Sequence, residues 1–561
     1  MHIYLPMLEA LKHINPEELT DVTMLQKLLL ALMNVCETQA SQIAELTQKN
    51  QALADEINRL KGEHGSMPPP KKPVDVPQSP STTGSKEKPT SKSKSKNRKK
   101  GRKNPTLPID EVVECAIDKS TLPPDAKLKK YREVIQQDID ITRKTVLYRI
   151  PVYYSESEGK TYSGQLPESY VGQFGDTLKS WIQLLHYQCD MTQGRIKGLL
   201  DTLGISISTG TISNIILSNS TQMVGESLAI LRSGLEKVAY AQMDGTKSWE
   251  SGVGKTTQVI SSPCYSVYYT MDSKSKANVI WALQGKEGES VPLLYNPLAI
   301  DLLKQSTVAK KDQLLLGELL VLNQRYSLIQ LEELLAAKAP HLLNKSTYPT
   351  LVNELAIAYY QTQTDFPKPT YLLSDAGPEY GGITPHHALC WIHEERHYKK
   401  MTPVFAIHRE LLAKIRGQIW DFYKKLLIFK EQPPDYLPPQ FKERLRSEFD
   451  TIFQQSTNYE ELNKRLEKTF AKKDQLLKVL DFPDLPLHNN AAELAVRRKV
   501  RKRDISFHTM SSKGTATQDA FMSVIQTAKK LGVNALAYLK DRLSKKYQLP
   551  SLAEQISNIT T

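Results

Sequence analysis

The chain has 561 residues, enough for roughly three or four domains with separate cores. No stretch of about 18 apolar residues occurs and the N-terminus has no signal-like start, so a membrane span is excluded and a soluble cytoplasmic protein is expected. The five cysteines (Cys36, Cys115, Cys189, Cys264, Cys390) are scattered and form no CxxC, which argues against a disulfide scaffold, and the net charge of +13 points to a polyanionic partner.

Residues 1–22 read as a tail. The next stretch carries two apolar rows at heptad spacing: Leu29, Cys36, Ile43, Asn50 and Ile57, and Leu25, Leu32, Gln39, Leu46, Leu53 and Leu60. This spacing predicts a helix over 23–62 that pairs as a leucine-zipper coiled coil, giving a homodimer or higher oligomer. Asn50 within the first row favours two parallel strands, because a buried amide fixes register. The other reading is one amphipathic helix lying on its own globule.

Residues 63–107 are rich in Pro, Ser and Lys and hold too few large apolar side chains to fold alone, so they read as a disordered basic linker. Its Lys99, Lys100, Arg102 and Lys103 would grip phosphates without sequence preference, or simply be solvated. A DNA-binding region is expected over 108–235. It begins with a strand at "TVLYRIPVYYS" (145–155) and carries a helix-turn-helix near 192–219. There an apolar-periodic helix stops at Gly204, and Ser208 or Thr209 caps a second helix. That second helix would turn Ile212, Ile215 and Ile216 inward and present Thr209, Thr211, Ser213 and Asn214 to DNA.

The pattern becomes mixed α/β over 236–545. "KVAYAQMDGTKSW" (237–249) reads as a buried strand running into Asp244, and "CYSVYYTMDSK" (264–274) as its neighbour. "PTYLLSDAGPEY" (369–380) reads as a short strand ending in Asp375. In "LPLHNNAAELAVRR" a proline stop precedes Asn489 or Asn490 as helix cap, and Glu493 faces Arg497 one turn on. Helical insertions are expected at about 291–365 and 402–480, and residues 546–561 read as a tail. Three carboxylates on two strands and a helix could hold two Mg²⁺ ions, with Mn²⁺ as an alternative, for in-line phosphoryl displacement. The basic run Arg497, Arg498, Lys499, Arg501, Lys502 and Arg503 would then track a DNA backbone.

Two other motifs are weaker. "SGVGKTT" (251–257) imitates the end of a phosphate-binding loop, but the required earlier glycine is Trp249, so it reads as a turn between strands. Cys390, His393 and His397 have ligand-like spacing without a complementary pair nearby, so no zinc is expected. His386 and His387 read as loop residues.

Taken in order, "AYAQMDGTKSW", "YLLSDAG", "ALCWIHEERHYKK" and the long block from "LPLHNNAAELAVRRKVRKR" through "GTATQDAFMSVIQTAKKLGVNALAYL" resemble the insertion-sequence-66 family of transposases over most of residues 105–545. The resemblance implies a multidomain α+β protein with a ribonuclease-H-like catalytic core, in which Asp244, Asp375 and Glu493 are the catalytic, metal-binding Asp-Asp-Glu (DDE) triad. It implies binding of double-stranded DNA, metal-dependent strand cleavage and strand transfer in transposition, and accessory proteins as partners. His393 and Arg396 would contact the scissile phosphate or serve a structural role. The chain departs from the family pattern at Gly245 and Leu494, where glutamate and arginine are usual, and lacks the cysteine module that often precedes the helix-turn-helix, only Cys115 remaining between 108 and 188. The alternatives are a catalytically silent DNA-binding descendant and a nuclease that cuts without joining.

Overall fold

The computed structural model describes residues 22–60, 109, 111–113, 115, 131, 134–139, 141–168, 170–432 and 440–559. The expected basic linker, with Lys99, Lys100, Arg102 and Lys103, lies outside the described residues. Residues 47–142 form a unit apart from the rest of the chain, and its described part is the end of the first helix and short extended segments.

Helix α1 (Val22–Leu60) follows the heptad stretch. Its described heptad leucines, Leu25, Leu29, Leu32, Leu46 and Leu53, are exposed, as is Ile57. A different face of the helix, at Asn34, Glu37 and Ser41, lies against the second helical insertion. The Asn34 amide donates to the Asn458 carbonyl at 3.1 Å, its oxygen accepts from Glu460 N at 3.0 Å, and Ser41 donates to Glu461. Glu37 is 3% exposed and accepts from the Val404 and Phe405 amides and from His408 Nδ1, at 2.9–3.1 Å. These amides stand at the start of helix Ala406–Glu431, whose first turn has no capping side chain of its own. Burial alone would raise the Glu37 carboxyl, but the amides and His408 outweigh it and hold it below its ordinary value. Helix α1 therefore lies on its own globule through one face while its apolar rows stay exposed.

The strand expected over 145–155 contracts to Val152–Ser155, paired with Lys160–Ser163. Pro151 has no N–H to offer a ladder, and its carbonyl accepts from Gly164 instead. Helices α2 (Asp176–Tyr187), α3 (Gln193–Thr202), α4 (Thr209–Leu217) and α5 (Ser220–Lys237) follow. Gly204, at φ +71°, turns the chain between α3 and α4, and Ser208 caps α4 by accepting from Thr211 N at 3.1 Å. Ile212, Ile215 and Ile216 are buried, and α2 satisfies the end of α4: Gln183 donates to the Ile215 carbonyl and Tyr187 to that of Ile216. Thr209 and Asn214 are exposed; Thr211 and Ser213 are half-buried.

The central sheet holds β1 (Tyr240–Glu250), β2 (Val253–Ser261), β3 (Ser266–Met271), β4 (Tyr371–Ser374) and β5 (His386–Leu389), in the order β3-β2-β1-β4-β5. The first three are antiparallel in sequence, while β4 and β5 run parallel to β1. Three expectations are corrected here. The segment 264–274 is not the direct neighbour of β1, because β2 pairs between them. Only Ser251 and Gly252, both at positive φ, make the turn, and Gly254, Lys255 and Thr256 lie in β2. His386 and His387 lie on β5, a short edge strand with no apolar alternation to announce it.

Helix α6 (Trp391–Lys399), α7 (Ala406–Glu431), α8 (Glu460–Phe470), α9 (Asn490–Ser506) and α10 (Ser512–Lys530) complete the frame. An edge strand leaves N–H groups open to mispairing, and α10 closes that edge. Asp519, Ser523 and Thr527, each four residues from the next on α10, accept from Thr270, Tyr268 and Ser266, each two residues from the next on β3, at 2.7–3.2 Å. The region expected as a helical insertion at 291–365 is helical but also contains a ribbon, Leu293–Tyr295 with Gln324–Tyr326. The described residues of 402–480 form helices around Phe422, Phe449 and Phe453, against which Trp391 packs. The stretch read as a C-terminal tail holds a helix, Leu552–Ser557, with a Ser551–Glu554 capping box and fully buried Leu552 and Ile556.

Candidate active site

Asp244 and Asp375 stand at one level of the sheet. Gln242 on β1 is in register with Leu373 on β4, and each aspartate lies two residues beyond its member of that pair, on strands about 4.8 Å apart. Asp375 follows the last residue of β4, as its strand-ending pattern suggests. Asp244 does not end β1, because the strand continues to Glu250 in its hairpin with β2; what ends there is the parallel pairing.

Glu493 comes to the same place through α9. The expected cap is different in kind: Asn489 makes no capping bond, and its amide donates to the Met243 carbonyl at 2.7 Å. Ala491 N donates to Gln242 Oε1 at 3.1 Å. These two bonds fasten the start of α9 to the two residues before Asp244, so the first turn of the helix faces the aspartates. Nor does Glu493 pair with Arg497. Its Oε2 accepts from Arg396 at 3.2 Å and its Oε1 lies 3.7 Å from His393 Nδ1. Arg396 also donates to His393 Nε2 at 3.0 Å, so the proton of a neutral His393 sits on Nδ1, toward Glu493. Helix α6, which carries both, is pinned by Trp391: its backbone N–H donates to the Leu487 carbonyl and its indole to that of Leu476.

The electrostatics link the three acids. Burial raises the Asp244 carboxyl to about 6, the Gly245 amide opposes this at 2.7 Å, and the charges of Asp375 and Glu493 push it further up. Burial and Arg396 hold the His393 imidazole below its ordinary value, against the pull of Glu493 and Asp375.

Four contributors escaped the sequence reading. Lys274, just past β3, pairs with buried Glu379 at 2.6 Å and acts on both aspartates. Buried Tyr380 donates to Gln258 at 3.1 Å on β2. A Cβ on Gly245 would come within 3.2 Å of Gln258 Oε1 and 3.4 Å of the Tyr380 hydroxyl. A side chain here would make Gln258 give by a few tenths of an ångström.

The basic run divides in two. Arg498 pairs with Asp190, Lys499 with Asp519 at 2.7 Å, Lys502 donates to the His186 carbonyl at 2.7 Å, and Arg503 reaches Thr246 and the Lys247 carbonyl. Burial pushes the Lys502 ammonium down to about 8. These four hold α9 in place, which corrects their reading as a continuous DNA-facing strip. Arg497 and Arg501 are exposed.

The family described as "Transposase IS66 family" matches residues 360–517, a segment that contains Asp375, His393, Arg396 and Glu493 but not Asp244. "Uncharacterized protein y4jO" of Sinorhizobium fredii is 31% identical over 319 residues, which are 56% of this chain and 94% of that protein. No solved structure matches. No described helix is long and apolar enough to cross a membrane. With the family segment enclosing the second and third acids of the cluster, and a relative matched over nearly its whole length, the chain belongs to the IS66 family of transposases.

Proposed function

We propose that the protein is a metal-dependent DDE transposase that binds element ends, cleaves DNA strands and transfers the new 3′ ends to target DNA. The carrying observation is Asp244, a carboxyl raised to about 6 in the company of Asp375 and Glu493, whose hydrogen-bond donor among the described residues is its neighbouring amide. Oxygen donors that repel one another in a half-buried site suit a hard divalent cation. Asp244, Asp375 and Glu493 would hold Mg²⁺, or Mn²⁺ in its place. Such ions, when bound, activate the attacking oxygen and stabilise the leaving one. The five-stranded mixed sheet that aligns the two aspartates supports the ribonuclease-H-like reading of the core.

The remaining residues divide by what they can touch. Arg396 is half-exposed and is the cation paired to Glu493, so an incoming phosphate would draw it away from the carboxylate. His393 stands beside it as a second phosphate contact. Arg497 and Arg501 present charge on the exposed side of α9 to the DNA backbone, and Thr209 and Asn214 on α4 are the exposed residues of the proposed helix-turn-helix. The exposed heptad rows of α1 support pairing of two copies, since the contacts to the globule use another face.

Strand-transfer assays on Asp244→Asn, Asp375→Asn and Glu493→Gln test the reading. Each should lose joining by at least about 10³-fold, some 4 kcal/mol on the barrier. Joining at the wild-type rate by any of the three would overturn it, and sequencing the products separates a transposase from a nuclease that only cuts.

A further inference from the structure

The sequence pairs Cys390 with His393 and His397 at ligand-like spacing, but the structure supplies a different third member. His397 is exposed and feels the charges of Arg465, Glu394 and Lys472, whereas Cys390, His393 and Glu493 each offer a ligand atom within 4.8 Å of the other two. Among the described residues this is the grouping with one sulfur, one nitrogen and one oxygen donor.

We propose that Cys390, His393 and Glu493 form a three-ligand site for a thiophilic divalent cation of the Zn²⁺ class, and that filling it withdraws Glu493 from Asp244 and Asp375. Tetrahedral bonds of about 2.0–2.3 Å put ligand atoms about 3.5 Å apart, so small side-chain rotations close the present spacing. The fourth position is left open.

Three further features fit. Cys390 and His393 lie at i and i+3 across the start of α6, on one face. The Cys390 sulfur accepts from the Asn489 amide at 3.3 Å and from the amides of Ile392 and His393. Burial pushes the Cys390 thiol above its ordinary value and these amides oppose it; the same N–H donors fix the orientation of a ligating sulfur. His393 Nδ1 and Glu493 Oε1 are buried atoms without a hydrogen-bond partner, 3.7 Å apart. Mg²⁺ has little use for sulfur, so this donor set selects a different metal from the three acids. Arg396 is the competitor: it holds His393 Nε2 and Glu493 Oε2, and an ion on these residues would repel it. The inhibitory consequence rests on the transposase reading; the site itself does not.

Cobalt(II) is the probe, titrated into the full chain while thiolate-to-cobalt charge-transfer absorption is followed. The expected result is one equivalent giving that band, lost in Cys390→Ser and in His393→Ala, kept in Asp244→Asn, and reached at lower cobalt in Arg396→Ala. No band, or a band that survives in both Cys390→Ser and His393→Ala and so arises from another cysteine, overturns the site. Zn²⁺ should then inhibit Mg²⁺-driven strand transfer by the wild type but not by Cys390→Ser. Equal inhibition of both, with the cobalt band present, overturns the withdrawal of Glu493 and leaves the site standing. Absence of strand transfer in Mg²⁺ alone would count against the transposase reading rather than against the metal site.

Discussion

Glu394 and Asp244 are both acids withdrawn from solvent near the same sheet, and they are treated in opposite ways. Glu394 is 4% exposed and held by Arg465, by Lys472 at 3.0 Å and by Thr469 at 2.6 Å. Burial would raise it, but these partners prevail and hold it below its ordinary value. Burial raises Asp244 to about 6, Asp375 and Glu493 add to the rise, and the amide of its own neighbour and the charge of Lys274 only partly offset it. Proteins neutralise buried charges with fixed partners when the role is structural. An acid that instead sits with two others has its compensation arriving from outside. His393, one residue before Glu394 on the same helix, faces Glu493, so α6 separates the structural network from the candidate active site.

The largest effect that could break this contrast is on folding. Glu394→Gln should cost about 3 kcal/mol at neutral pH, because Arg465 and Lys472 lose their counter-charge. Its contribution is present above the ordinary carboxylate value and is lost as pH falls through the lower folded value, so thermal melts of wild type and variant should converge in acid. Asp244→Asn should do the reverse. A raised acid stabilises the fold below its unfolded value and loses that contribution as pH rises through about 6. Without divalent cations at pH 8 the variant should therefore melt above wild type, by no more than about 2 kcal/mol after solvent screening, with the gain gone near pH 4. Destabilisation by both variants at pH 8 would erase the distinction.

The basic run provides a smaller test of the same rule. Lys499→Met should cost about 3 kcal/mol by stranding Asp519, which also holds the β3 edge through Thr270. Arg501→Ala should leave the melting point within about 0.5 kcal/mol. It should lower DNA affinity with a salt slope smaller by about one. A structural loss from Arg501→Ala, or none from Lys499→Met, would contradict the division of α9.

Much of this was legible in the residues. The heptad rows announced α1, the strand-ending Asp375 and the Asn-Asn-x-x-Glu block pointed to the candidate site, and the isoleucines of α4 marked its buried face. What was hidden depended on partners distant in sequence. Glu37 reads as an ordinary solvated helix charge until the Val404 and Phe405 amides are placed beside it. Lys499 and Lys502 continue the 3,4,3 spacing of Ala492 and Ala495, which is the buried stripe of α9; that period was available as a warning that a dense basic run need not all face water. Asn489 stands at the N-cap position, as asparagine before a helix suggests, but its amide is spent on Met243 instead of on a capping bond. The ribbon within the 291–365 region and the strand at His386 are too short for periodicity to register.

The central claim is that Asp244, Asp375 and Glu493 form one divalent-cation site. Calorimetric titration of Mn²⁺ into the Cys390→Ser protein, and into the same protein carrying Asp244→Asn, Asp375→Asn and Glu493→Gln as well, tests it most directly. The account predicts saturable heat for the protein with the three acids and none for the protein without them; equal heats from the two would contradict it.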